Sequence, residues 1–168
     1  LKTAMSGYGY AVMIYGLRPL SRGRVGLHSA DPLAAPLIDP NYMAESADVE
    51  QLIRGVHLVR RILSQQAFAS HHEVEVSPGS VLQNDEDLAT WVRRSGESAY
   101  HPVGTCKMGI DAMAVVDPRL RVHGLQGLRV VDASVMPTLV GGNTNQPATM
   151  IGEKGGAMVL EDAETYRA

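Results

Sequence analysis

One cysteine, Cys106, is the only thiol in the 168 residues. That excludes an intrachain disulfide and any metal site built on several cysteines, and it suits a reducing compartment such as the cytoplasm. Positive charge is not in excess: 15 Lys and Arg against 18 Asp and Glu leave a net charge of -3, which argues against a nucleic-acid interface. No apolar run is long enough to span a membrane. No basic segment followed by an apolar stretch and a cleavage site opens the sequence. The start, Leu1-Lys2-Thr3, reads as a boundary inside a longer protein. No internal repeat or low-complexity tract is present. The remaining composition, 45% hydrophobic and 20% charged, is that of an ordinary folded protein with a core.

The apolar pattern predicts several elements. Tyr10 to Tyr15 is a short apolar run between glycines and reads as a buried strand. Leu17 to Leu27, punctuated by Pro19 and Gly23, reads as two strands with a tight connection. Asp31-Pro32 and Asp39-Pro40 interrupt the stretch that follows. The strongest signal is a helix from about Ala47 to Ser64, where Val49, Leu52, Ile53, Val56, Val59 and Leu63 share one face. Ser46 or Asp48 is the expected cap, and Arg54, Arg60 and Arg61 the solvated side. A shorter helix follows Asn84, with Leu88, Trp91 and Val92 inward and Gly96 at its end. Gln126 to Val131 reads as a strand. A last helix follows Pro147, with Gly152, Gly155 and Gly156 permitting close backbone approach.

Three stretches offer chemistry. His101 stands in Tyr100-His101-Pro102-Val103-Gly104, a loop after a helix, and imidazole exchanges a proton near neutrality. The plainer reading is a hydrogen-bonded loop histidine. Gly141-Gly142-Asn143-Thr144-Asn145-Gln146-Pro147 suits the start of a helix, whose free N–H groups favour negative charge. It equally suits a glycine loop with an ordinary cap. Val130-Val131-Asp132-Ala133-Ser134-Val135-Met136-Pro137 resembles a strand ending beside a ligand crevice, or simply a strand followed by an Asx turn. The adjacent His71 and His72 would point to opposite faces of a strand and make a poor chelate. No spacing of Asp, His and Cys resembles a metal site, so no metal is expected. His57 belongs to the boundary of the long helix.

Taken in order, several strings resemble the glucose-methanol-choline (GMC) oxidoreductases, near their choline and alcohol dehydrogenase branch. They are Leu17-Arg18-Pro19-Leu20-Ser21-Arg22-Gly23, Pro36-Leu37-Ile38-Asp39-Pro40-Asn41-Tyr42, and the His101 loop through Cys106-Lys107-Met108-Gly109. They continue with Val115-Val116-Asp117-Pro118, Leu128 to Pro137, and Gly142-Asn143-Thr144-Asn145. The resemblance implies an α+β fold. Residues 1–114 would be mainly a substrate-binding lobe, an antiparallel sheet with flanking helices. Residues 115–168 would return to the FAD-binding lobe with a strand and the terminal helix. The N-terminal dinucleotide fingerprint is absent: Gly7-Tyr8-Gly9-Tyr10 lacks the third glycine and the helix after it.

The resemblance implies oxidation of a CH–OH donor, a primary alcohol or choline, to the aldehyde. His101 would accept the hydroxyl proton, with Asn143 beside it orienting the oxygen. Asp132, Ala133, Asn145, Gln146 and Pro147 would approach the flavin of FAD. FAD would be the cofactor of the full-length enzyme and would not bind this portion tightly, so the portion alone would be inactive. Its partners would be the alcohol and the N-terminal FAD lobe of its own chain, with homo-oligomerisation through an uncovered face a further expectation. Choline would need an aromatic or carboxylate surround, and one Trp and one Phe do not make one evident. The alternatives are a lyase or oxidase of the same type, or a free-standing flavinless domain that binds a ligand or partner.

Overall fold

The computed structural model describes residues 9–71 and 74–165. His72 of the His71–His72 pair lies outside them, as do Gly7 and Tyr8 of the Gly7–Tyr10 run. The chain divides into two compact units, one of residues 1–16 and 43–97, the other of residues 17–42 and 98–168. Three α-helices and one small antiparallel sheet among the described residues make the class α+β, as expected.

The first unit is a helix pair. α1, Ser46–Leu63, carries the predicted stripe: Val49, Ile53 and Val56 are buried against Leu88 and Val92 of α2, Asp85–Ser95. Both ends of α2 follow from local chemistry. Asn84 accepts the Asp87 N–H at 2.8 Å through its side chain, and the Gly96 N–H returns to the Val92 carbonyl at 2.8 Å. α1 departs from expectation at its start. Its N-cap is Glu45, with no side-chain capping bond, so neither Ser46 nor Asp48 caps it; Asp48 sits buried in the first turn, at the positive end of the helix. Arg60 is also not on the solvated side. Its side chain is only 19% exposed, is paired with Glu75 at 2.9 Å, and donates to the carbonyls of Gly79 and Leu82. His57 is exposed, with Nε2 2.7 Å from Asp85 Oδ1.

Tyr10 to Tyr15 is not a strand. A strand exists only as a paired ladder, and here the segment forms none among the described residues, with only Ile14 half-buried against the helix pair. Gly55 makes room for it: a Cβ there would stand 2.4 Å from Ile14 Cγ2.

The second unit begins with β1, Arg24–Gly26, antiparallel to β2, Leu37–Asp39, in the register Val25 opposite Ile38. The predicted pair of strands within Leu17–Leu27 is thus one strand, whose partner lies beyond Asp31-Pro32. Gln126 to Val131 is likewise not a strand; it contributes the single bridge of Arg129 to Arg121. Short bridges suffice there because a compact core fixes the loops. Val116, Leu120, Val135, Met136 and Ile151 are buried together. Ile151 comes from α3, Asn145–Thr165, the final helix. Gly155 lets α3 approach closely, since a Cβ there would meet Val131 Cγ1 at 2.3 Å. Near its C-terminal end α3 is tied down by ion pairs. Asp162 binds Arg119 at 2.7 Å and also Arg129, and Glu161 binds Arg119 at 3.0 Å. Burial opposes ionisation of Asp162, but hydrogen bonds from Arg129 and Arg119 outweigh it and hold the carboxyl below the usual range. Among the described residues no helix is long and apolar enough to cross a membrane.

Candidate functional site

His101 meets the start of α3, where Asn143, Asn145, Gln146 and Pro147 also lie, and Asp132 and Ala133 belong to the same unit. The His101 loop is held to the turn after Asp132 by two backbone bonds, Cys106 N–H to the Ser134 carbonyl at 3.0 Å and Met108 N–H to the Val135 carbonyl at 2.8 Å. Gly104 makes this approach feasible. Its φ is +90°, and a Cβ would lie 3.3 Å from the Met136 carbonyl. On the other side of His101, Tyr100 adopts φ +60°, uncommon for a residue with a side chain. Its N–H donates to Ser98 Oγ at 3.0 Å, and the Tyr42 hydroxyl donates to the same oxygen at 3.0 Å. Pro102 then confines His101 to extended backbone. The loop is therefore fixed on both flanks of the histidine.

The imidazole is half-buried. Nδ1 lies 2.8 Å from Thr144 Oγ1, and the Thr144 N–H is directed at the same nitrogen from 3.4 Å. Thr144 is 9% exposed and caps α3, its carbonyl accepting the Ala148 N–H at 2.9 Å. An N-cap hydroxyl ordinarily bonds the N–H of the second or third helical residue. The third residue here is Pro147, which has none, and the hydroxyl engages His101 instead. Thr144 is the site residue that sequence reasoning missed as such. The available signal was a threonine three positions before a proline at a helix start.

Asn143 precedes Thr144 and is exposed. Asn145 and Gln146 are exposed in the first turn of α3, and Pro147 is half-buried there. These positions therefore share the helix start with the residue that holds His101. Asp132 is exposed and Ala133 packs on the core. Asp132 forms an Asx turn, the plainer of its two readings: Oδ1 accepts the Ser134 N–H at 2.7 Å and also the Ser134 hydroxyl. Among the described residues, no three of His, Cys, Asp and Glu are grouped to hold a metal ion. Cys106 is a half-buried free thiol.

This arrangement can present one titratable nitrogen, Nε2 of His101, on a rigid loop beside an exposed amide and the positive end of a 21-residue helix. That combination suits proton acceptance next to developing negative charge.

Residues 19–152 match the C-terminal model of the family described as GMC oxidoreductase. The chain is 46% identical over 158 residues to alcohol dehydrogenase [acceptor] of Pseudomonas putida, covering 94% of this chain and 29% of that protein. It is 46% identical over 153 residues to oxygen-dependent choline dehydrogenase of Chromohalobacter salexigens, covering 91% and 27%. Among solved structures, an FAD-dependent oxidoreductase from Chaetomium thermophilum superposes with a TM-score of 0.81 at 30% identity, over 88% of this chain and 26% of that one. The chain thus spans between a quarter and a third of the length of the relatives it matches. With the family model covering most of its length, the chain belongs to the GMC oxidoreductase family.

Proposed function

We propose that this chain is the C-terminal catalytic portion of an FAD-dependent oxidoreductase that oxidises a CH–OH donor, a primary alcohol or choline, to the aldehyde, with His101 as proton acceptor. One observation carries the reading: the His101 ring is held through Nδ1 by Thr144 at 2.8 Å, one residue from Asn143 and at the first turn of α3. An imidazole fixed by one nitrogen has the other left for a substrate hydroxyl. The Asn143 amide donates to the oxygen as negative charge develops on it and does not titrate, so His101 is the single titrating group of the pair.

FAD would supply the acceptor for the hydride of the carbinol carbon. The residues of this chain fit the redox end of that cofactor rather than its phosphates. Asn145, Gln146 and Pro147 open a long helix whose positive end suits a ring system gaining negative charge, and the first two are exposed. The exposed Asp132 and the neighbouring Ala133 supply the other contacts. The chain has no Gly-x-Gly-x-x-Gly fingerprint, so the phosphate and adenosine contacts fall to the N-terminal lobe of a longer protein. In that protein residues up to about Ala114 belong mainly to the substrate lobe and those from Val115 to the FAD lobe. The portion alone then holds FAD weakly and is inactive.

The test is His101→Ala in the full-length enzyme, mixed with alcohol without oxygen while the flavin absorbance is followed. Flavin reduction slows by about 10²–10⁴ with FAD still bound, the usual contribution of a general base. An unchanged reduction rate refutes the assignment. A second reading, oxygen as electron acceptor, draws support from the relative named an oxygen-dependent choline dehydrogenase. Oxygen consumption on adding alcohol or choline separates it from a dehydrogenase that needs another acceptor.

A further inference from the structure

We infer that Thr144 is a positioning residue whose hydroxyl sets the tautomer of His101, keeping the proton on Nδ1 and the lone pair of Nε2 free for the substrate. The inference rests on the reading of His101 as the proton acceptor.

Two groups of Thr144 face the same ring nitrogen. The hydroxyl is a rotor that either donates or accepts. The backbone N–H only donates, so it favours a lone pair on Nδ1 and hence a proton on Nε2, the form that is useless as a base. The role of His101 as base decides between them, since only a hydroxyl that accepts from Nδ1–H leaves Nε2 unprotonated. The Nδ1 to Oγ1 separation of 2.8 Å is that of a full hydrogen bond, whereas the N–H contact of 3.4 Å is outside the usual range and weak. With the hydroxyl accepting, Nδ1–H gains the stronger bond and Nε2 is left unprotonated. The site around the contact is built to hold it. Thr144 is 9% exposed and fixed by its place as the cap of α3, and Pro147 removes a competing local donor for its hydroxyl.

In the reaction the alcohol proton passes to Nε2 and the ring becomes a cation with both nitrogens protonated. Nδ1–H still donates to Thr144 Oγ1, so no ring rotation and no hydroxyl reorientation accompany the transfer. Without the hydroxyl, the backbone N–H is the sole group of Thr144 at Nδ1, and the preferred neutral tautomer inverts.

The experiment uses the full-length, FAD-loaded enzyme with ¹⁵N-labelled histidine, His101 being identified by the signals lost in His101→Gln. The wild-type neutral imidazole is expected to show the Nδ1-protonated pattern. Thr144→Val is expected to shift it to the Nε2-protonated pattern and to lower the limiting rate of anaerobic flavin reduction by about 10²-fold, the scale of a misplaced catalytic group. The substrate concentration giving half that rate should be unchanged. Thr144→Ser, which keeps the hydroxyl, should restore both tautomer and rate. An Nε2-protonated wild type overturns the inference without any variant, even where Thr144→Val fails to fold. A Thr144→Val enzyme with wild-type tautomer and rate overturns it too. If His101→Gln itself leaves flavin reduction unchanged, the reading of His101 as base fails instead.

Discussion

Gly155 gives the sharpest test of how α3 is seated. A Cβ at this position would stand 2.3 Å from Val131 Cγ1, 3.2 Å from Val131 Cγ2 and 3.3 Å from Leu120 Cδ1. The nearest of these contacts is more than an ångström too short. Val131 is β-branched with little rotamer freedom, and Leu120 is itself buried, so neither yields easily. Overpacking of this kind costs about 1–3 kcal/mol. Replacing a helical glycine by alanine returns roughly 0.8–1.0 kcal/mol. The severity of the clash points to the upper part of the overpacking range, so Gly155→Ala should destabilise by about 1–2 kcal/mol. Gly152 and Gly156 in the same helix have nothing within 4 Å of where a Cβ would stand, and alanine there should stabilise the isolated chain by up to about 1 kcal/mol each. Thermal or denaturant unfolding of the 168-residue chain reads all three. Val131→Ala should remove much of the Gly155→Ala penalty, so the double-mutant cycle should show coupling. Stabilisation by Gly155→Ala equal to that at the other two positions, or additivity with Val131→Ala, would refute the close approach.

The Asp162 ion pairs make the seating of α3 sensitive to acid. The folded carboxyl titrates below its unfolded value, so its contribution is complete above about pH 4 and is lost as pH falls through the lower folded value. Unfolding followed by helical circular dichroism should show a loss of stability below about pH 4 that Asp162→Asn reduces, and an identical acid dependence in that variant would count against the pairing. In the first unit, Asn84→Ala removes a side chain that both accepts the Asp87 N–H and donates to the Asp87 carboxylate, each at 2.8 Å. It should cost about 0.5–2 kcal/mol in chemical denaturation, and no measurable loss would mean that water replaces the cap without penalty.

What the sequence makes legible follows from which forces are local. α1 and α2 were readable because an apolar stripe at helical spacing announces its own burial, and the ends of α2 at Asn84 and Gly96 are set by bonds within a few residues. Strands carry no such guarantee. Tyr10 to Tyr15 and Gln126 to Val131 have the composition of strands, yet a ladder needs a partner, and apolar content does not say where one is. The same division runs through the site. His101, Asn143 and the first turn of α3 stand out by residue type, and their ordered resemblance to one family narrows the chemistry further. The contact that joins them spans 43 residues, from His101 to Thr144, and only the folded chain brings it about. Thr144 looks like an ordinary helix cap in the sequence because it is one. Its second task is favoured because Pro147 withholds one of the two N–H groups that a cap hydroxyl ordinarily bonds and because Cys106 and Met108 tie the His101 loop against the turn at Ser134 and Val135. A residue that serves stability through its backbone and chemistry through its side chain leaves no separate mark in the sequence, and the imidazole it holds is where that second role becomes measurable.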